Sequence, residues 1–553
     1  MAAIRHGKKW LLLLPVMIIY LIGMFIDVME IDAAQYATMS LEMTQTGNYL
    51  EIYYRGEDYI DKPPLLFWVT ALSFNLFGVS NFTYKLPSVL FTILGLFSTY
   101  RLGRMYYGRW TGYFSALILA SCYAWFQFNQ DVRTDALLAG CTIFAVWQLA
   151  EYSVAKKYSS LVLAGIGIAG AMLAKGPIGL MVPALALGTD LLLKRDWRTM
   201  FRWQWVLLIP IVLICISPML YGLYAQYDAS GGRQTYNGFI TSGIRFYFWT
   251  QSFGRLTGES SWSNDTSPFY FIHTFLWAFL PWSLLFFIAL GKRLKKIIFN
   301  GLIIKRRQEA LTVGGIIFPW IAFSLSNYKL PHYIFVIFPL VAIMTGAFIR
   351  KLVKKYDRDF IPIRIIQNVV CVLLLALGVL LFVLFPVKNI AVIPLAIVGA
   401  FMTIYYIVYK GTRFKQILFP SFFAIVTVNF IFSAHLYPSM LQYESGNIAS
   451  HIATKSQYDL TGFNYAPFGM DFYNRKAVPQ YTSAAELRSR HKGSTVWVYT
   501  DEEGRANIQR DSMVVVRDTV LQHFHVSTLN ANFLNPEKRS SSTKKMHLLL
   551  VKP

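Results

Sequence analysis

The chain has 553 residues, 55% of them hydrophobic and only 15% charged, with a mean hydropathy of +0.42. Soluble domains carry nearer a quarter charged residues, so this composition excludes an ordinary soluble protein and describes a polytopic membrane protein. The formal charge of +23 would suggest nucleic acid in a soluble chain, but here Lys and Arg sit in short clusters between apolar runs, as in proteins that fix their orientation in a membrane, and nucleic acid drops out as a partner.

Met1–Trp10 is short and basic, and the apolar run after it lacks a small-residue cleavage site, so it reads as an uncleaved first span. A span needs about 20 apolar residues. The candidates are 10–27, 83–103, 110–129, 134–153, 159–174, 176–193, 204–224, 268–290, 310–326, 331–349, 363–386, 389–409 and 413–436. Leu65–Phe77 is apolar but too short to cross comfortably, and the charges assign it to the interface. With it lying flat, the clusters Arg101/Arg104/Arg109, Lys156/Lys157, Lys194/Arg195/Arg198, Lys292–Lys296, Lys305–Arg307, Arg350–Arg358 and Lys410–Lys415 share one side with the amino terminus. About thirteen spans follow, with a cytoplasmic amino terminus and an extracytoplasmic carboxyl-terminal segment. The cysteines Cys122, Cys141, Cys215 and Cys371 all lie in apolar runs, with neither disulfide nor zinc spacing.

The outer side then holds Asp27–Pro64, Tyr224–Ser267, Asn327–His332 and the corner at Lys175-Gly176-Pro177. Acids are costly in lipid, so a cluster hugging its edge faces water or a site. Glu30-x-Asp32 follows the first span directly. Asp32 reads either as the N-cap of a surface helix running to about Thr46 or as a carboxylate that takes a proton from a nucleophile. Asp61-Lys62-Pro63-Pro64 presents a lysine that either holds a phosphate or snorkels to headgroups. Lys175 and Lys329 also stand on the outer face beside prolines, where basic residues need a reason. Either they share an anionic ligand at headgroup depth, with Arg245 and Arg255 available to join them, or they make ordinary lipid contacts. In Asn129–Asp135, Arg133 reads as an internal salt bridge with Asp131 or Asp135. Asp265 reads equally as a helix-start signal, and His273 and His332 read as satisfied core or interfacial histidines.

From about Tyr437 the pattern turns to serines, charges and polar/apolar alternation. Ser494–Thr500, Ser512–Val516 and His547–Val551 are predicted strands and Ala484–His491 a short helix. The chain thus divides into a transmembrane domain, 1–436, and a small extracytoplasmic α+β domain, 437–553.

The blocks EIDAAQY, YIDKPPLLFW, KLPSVL, VRTD, AKGPIG, SPFYF and SNYKLPHY, in this order over roughly residues 10–436, resemble the large membrane glycosyltransferases of the GT-C fold. The resemblance is to the lipid A aminoarabinose transferases and the protein O-mannosyltransferases. It implies a polytopic helical fold with interfacial helices in the first outer loop, and an outward cavity that moves a sugar from a polyprenyl phosphate to lipid A or another cell-envelope acceptor. Protein hydroxyls are the alternative acceptor; a lipid or polysaccharide transporter without chemistry is the alternative class. By position, Asp32 matches the family's catalytic acid and Asp135 a second important acid. Lys62 matches the phosphate-contacting lysine and Tyr328 a phosphate-side tyrosine, and the outward Lys175, Lys329 and Arg255 are expected to join them on the donor phosphate. Glu30, Tyr36 and Tyr59 line the cavity, and Asp61 and Asp265 are the candidate ligands of a divalent metal. No nucleotide or organic cofactor is implied. Two positions depart from the pattern: Gln35 replaces the arginine usual after the catalytic acid, and the histidine before the eighth span is absent, with Ser252 or Asp265 nearest. The implied location is a bacterial inner membrane.

Overall fold

A computed structural model describes residues 10–552 except 237, 253, 258, 260–262, 265 and 355–357, and without the side chains of 255 and 256. Seven helices among the described residues are long and apolar enough to cross a bilayer: Asn81–Tyr107, Thr134–Ala155, Tyr158–Lys175, Trp197–Asp228, Pro331–Lys354, Phe360–Leu384 and Arg413–Leu441. The other six expected spans are shorter or interrupted helices. Trp10–Gly23, Leu311–Ser324 and Val392–Val408 are short, as is Ile178–Lys194. Arg109–Ser121 gives way to the short Tyr123–Gln127. Tyr270–Ala278 stops before Pro281, whose missing N–H cannot continue the ladder, and Ser283–Phe299 resumes it.

The elements that build the outer surface come first. Helix α1 (Leu14–Gly23) ends where apolar sequence runs into the acids. Helix α2 (Ile31–Thr46) is capped at its start by Glu30, whose carboxylate accepts the Asp32 N–H at 3.1 Å, and stops at Gly47, which takes the left-handed φ of 71° that favours glycine. The cap is therefore Glu30 and not Asp32, which leaves the Asp32 carboxylate in the first turn with its oxygens turned elsewhere. Helix α3 (Leu65–Phe77) has 13 residues, about 20 Å at 1.5 Å per residue, short of a bilayer core of roughly 30 Å. Helix α4 (Asn81–Tyr107) opens on a reciprocal cap between Ser80 and Thr83.

Glycines seat α4 between its neighbours α5 (Arg109–Ser121) and α7 (Thr134–Ala155), with the short α6 (Tyr123–Gln127) between those two. A Cβ on Gly112 would stand 2.4 Å from the Tyr100 carbonyl, and one on Gly140 2.4 Å from the Phe91 carbonyl. Small residues let membrane helices approach to backbone contact, where dispersion replaces the hydrophobic effect as the cohesive force. Helices α8 (Tyr158–Lys175) and α9 (Ile178–Lys194) complete this half.

The carboxyl-terminal residues form a five-stranded sheet in the order Gln480–Tyr481, Leu460–Phe463, Val496–Asp501, Lys544–Lys552, Val514–His523. The first three strands are parallel and the last two antiparallel to their neighbours. Alternation buries both faces: Val496, Val498, Leu549 and Val551 pack with Leu487 and Ile508 on one side, and Trp497, Tyr499, Leu548 and Met546 with Leu460 and Ala449 on the other. The three predicted strands and the helix Ala484–Arg490 are present. Leu460–Phe463 was not anticipated; four residues with an internal glycine carry too little alternation to read.

Candidate active site

The ends of several helices meet at one level. The α2 start brings Asp32 and, one turn on, Tyr36. Pro63 and Pro64 force the entry into α3, so Asp61 and Lys62 sit in the turn just before it. The extended backbone of Arg133 precedes α7, whose first turn carries Asp135. Helix α8 ends on Lys175 because Gly176 takes a φ of +85° and Pro177 follows. Pro331 opens the helical turn bearing His332 and Tyr333.

Between these ends lies a cavity of about 270 Å³, lined by three acids (Asp32, Asp61, Asp135) and three cations (Lys62, Arg133, Lys175), with Tyr36, Gln251, Ser252 and His332 among its other walls. Arg133 spans two acids, with Nη2 at 2.6 Å from Glu30 Oε1 and Nη1 at 3.4 Å from Asp32 Oδ2. Nη1 also lies 3.4 Å from His332 Nδ1. A guanidinium only donates, so Nδ1 accepts, and Nε2 carries the ring proton and faces Asp135 Oδ2 at 3.9 Å. Lys175 Nζ donates to Asp135 Oδ1 at 2.5 Å and lies 4.6 Å from the centre of the Tyr333 ring. A line of polar groups thus runs from Glu30 through Arg133 and the neutral His332 ring to the Asp135–Lys175 pair.

Exposure separates the acids. The Asp32 side chain is 41% exposed, whereas that of Asp135 is 3% exposed and spent on Lys175. Burial pushes the Glu30 carboxyl up from the usual range; Arg133 opposes this, and Asp32 and Asp131 reinforce it. Burial, then the nearby Asp32 charge, holds the Tyr36 phenol well above 10 and therefore protonated. Lys62 stands apart from these pairings, because its ammonium donates to no group among the described residues while lining the cavity.

Of the residues singled out from sequence, Asp32, Asp135, Lys62, Lys175, Tyr36 and Asp61 converge on this cavity. Glu30 stands behind Arg133, and Tyr59 packs edge-on against Phe67 outside the lining. Lys329 departs from expectation: its ammonium donates to the Thr266 carbonyl at 3.1 Å, its N–H is held by Asn264, and it is not in the cavity lining. Tyr328 packs against Tyr333 and is likewise not in the lining. The Arg255 side chain and Asp265 lie outside the described residues. Arg133 is the main residue that the sequence reading misassigned. It reaches back to Glu30 and Asp32 rather than bridging within its own segment, because Asp135 is taken by Lys175 and Asp131 instead accepts the Met29 N–H at 3.4 Å. Its place at a helix start between two acids was the available signal. His332, read as a satisfied core or interfacial histidine, is bonded to Arg133 and also lines the cavity.

Among the described residues the carboxylates do not assemble as a metal-ligand set; Asp265, one of the two candidate ligands, lies outside them. Asp32 faces Arg133, Asp135 faces Lys175, and among the described residues no three His, Cys, Asp or Glu side chains come together.

Fold and site together define a class: this is a multi-pass membrane protein with the fold of the solved ArnT structure. A family model for dolichyl-phosphate-mannose-protein mannosyltransferase matches residues 61–221. The solved structure of ArnT from Cupriavidus metallidurans bound to undecaprenyl phosphate superimposes with a TM-score of 0.73 at 18% identity, covering 98% of each chain. An uncharacterized protein from Aquifex aeolicus is 26% identical over 72% of this chain and 74% of its own. The undecaprenyl phosphate-alpha-4-amino-4-deoxy-L-arabinose arabinosyl transferase of Edwardsiella ictaluri is 24% identical over 58% of this chain and 55% of its own. The chain spans about half the length of the curated arabinosyl transferases that it matches.

Proposed function

We propose that this protein is an inverting glycosyltransferase that moves a sugar, a pentose or hexose such as an aminoarabinose, from a polyprenyl-phosphate donor to lipid A or another cell-envelope acceptor. The observation that carries this reading is that Asp32, far more exposed than the paired Asp135 across the same site, and Lys62, an ammonium donating to no group among the described residues, line one cavity at the helix ends. The aminoarabinose transferases named above, and the undecaprenyl phosphate in the ArnT structure, support the substrate class.

The chemistry is a single displacement. An acceptor oxygen attacks the anomeric carbon, the bond from that carbon to the phosphate oxygen breaks, and the electron pair leaves with the lipid phosphate. Lys62 stabilises the charge gathering on that phosphate, which is the larger contribution because a sugar phosphate is already activated. Asp32 takes the proton of a hydroxyl acceptor, or orients the acceptor when it arrives ionised. Arg133 fixes the Asp32 carboxylate, and Asp135 holds Lys175 at the opposite wall.

The positive-inside pattern supports an inner-membrane protein with a cytoplasmic amino terminus, about thirteen spans and residues 437–553 outside as a second domain. The basic helix ends at Arg104, Lys156 and Lys351 lie opposite the site-bearing ends Asn81, Thr134 and Pro331 of the same helices. Protein hydroxyls are the second acceptor reading, favoured by the protein-mannosyltransferase family match. Purified full-length protein incubated with radiolabelled polyprenyl-phosphate sugars should label lipid A; label in protein alone would select the second reading, and no transfer to any acceptor would refute both.

A further inference from the structure

We infer that the carboxyl-terminal domain is a positioning element of the active site, holding both ends of the 27–62 segment so that Asp32 and Lys62 face one cavity. The inference rests on the glycosyltransferase reading for its activity readout, but its geometry stands on separate contacts.

The near end is held at Val28, just ahead of Glu30 and Asp32. Both of its backbone groups are spent on the domain: its N–H donates to the Tyr473 hydroxyl at 2.7 Å, and its carbonyl accepts from Asn447 Nδ2 at 2.9 Å. Asp27, next to it, meets His451 Nε2 at 2.8 Å and Asn81 Nδ2 at 2.7 Å. The Tyr473 hydroxyl passes its own proton to Asn81 Oδ1 at 2.9 Å, which ties the start of α4 into the same knot.

The far end is held at Arg55, in the hairpin turn that leads to Asp61 and Lys62. Its Nε and Nη2 fork onto the two oxygens of Asp471 at 2.6 and 3.0 Å. The Asp471 side chain is fully buried, so Arg55 is the charge that compensates it. The same turn is held from α2, where Glu42 accepts the Arg55 and Gly56 N–H groups at 3.0 and 2.8 Å. Between the two ends, Phe472 stacks on Phe74 of α3 and tilts against Tyr84 of α4. Asp471, Phe472 and Tyr473 are consecutive residues of one short helix, Gly469–Asn474, so a single rigid element grips the turn, the interfacial helix and the exit of the first span. Surface docking alone would not require a buried charge pair and both polar groups of one backbone unit.

The test uses the full-length protein with Tyr473→Phe, Asp471→Asn and, as a control whose side chain pairs only within the same domain, Lys476→Ala, which breaks only the exposed pair with Asp459. Three readouts are taken: transfer kinetics, binding of undecaprenyl phosphate, and hydrogen exchange across residues 27–62. Tyr473→Phe should lower kcat about tenfold with undecaprenyl phosphate binding changed less than twofold, and should speed exchange at Val28. Asp471→Asn should lower kcat further and speed exchange through the Arg55 turn. Lys476→Ala should change neither. Unaltered kcat per folded molecule in both contact variants, or losses that match only a lowered melting temperature, would overturn the inference. If the wild-type protein transfers no sugar, the glycosyltransferase reading fails on its own. Exchange then decides the positioning role, since protection at 27–62 identical in all variants would overturn it.

Discussion

Arg133 holds Glu30 at 2.6 Å and Asp32 at 3.4 Å with two nitrogens of one guanidinium. The planar fork fixes the directions of both carboxylates while one of them stays 41% exposed to the cavity. Arg133→Lys should therefore lower kcat about 10²-fold, because a shorter, freely rotating ammonium no longer fixes the direction of the Asp32 carboxylate. Asp32→Asn should abolish transfer while undecaprenyl phosphate binding changes little. Single-turnover kinetics on both variants check this; retained turnover in Asp32→Asn removes that residue from its role.

Lys62 and Lys329 look alike in sequence and differ in what their ammonium groups touch. Lys62→Ala should weaken undecaprenyl phosphate binding by roughly 10- to 100-fold, the value of one charge-assisted hydrogen bond. Lys329→Ala should change it by less than twofold, because that ammonium is spent on the Thr266 carbonyl. Binding titrations in detergent read both, and equal losses would contradict the placement of Lys329.

Lys85 is fully buried and caps three carbonyls, those of Gly23 and Ile26 at 3.0 and 2.8 Å and that of Gln130 at 2.5 Å. It thereby joins the end of α1 to the turn that presents Arg133. Lys85→Met strands all three acceptors and should destabilise the protein by about 3 kcal/mol, seen as a lowered melting temperature in detergent. A melting temperature within a degree or so of wild type would show that water replaces the ammonium.

Burial pushes the Glu444 carboxyl up to about 7; the Val526 N–H bond opposes this, and Asp131 adds a little. The folded state thus binds this proton more tightly than the unfolded chain. The resulting stability is fully present below pH 4.5 or so and is lost as pH rises through 7, about 3 kcal/mol at most. His523 works in the opposite sense, because burial holds it down to about 4. The informative quantity is therefore the difference between wild type and Glu444→Gln. That difference should move in favour of the variant as pH rises from 4.5 to 7, and a pH-independent difference would refute it.

Much of this was legible before any coordinates. Asp32, Lys62 and Lys175 announce themselves because acids and lysines at the membrane edge are costly to keep without a use. Lys329 shares that signature, and what turns it away is Asn264, a tertiary partner that no local pattern reveals. Arg133 failed for the same reason. Its own segment offers Asp131 and Asp135, and only the fold shows that Met29 and Lys175 have claimed them. The apolar segments were found, but not how many cross the bilayer. Pro281 and the short Val392–Val408 mark where composition stops predicting length.

The glycine contacts that seat α4 have one further consequence, for movement. With Gly112 and Gly140 pressed against its backbone, α4 cannot slide past α5 or α7 without collision, and the turn bearing Arg133 lies between those two helices. That side of the pocket is the fixed jaw. The remaining walls, Gln251, Ser252, Ser326 and Leu330 among them, are not pinned by those two glycine contacts.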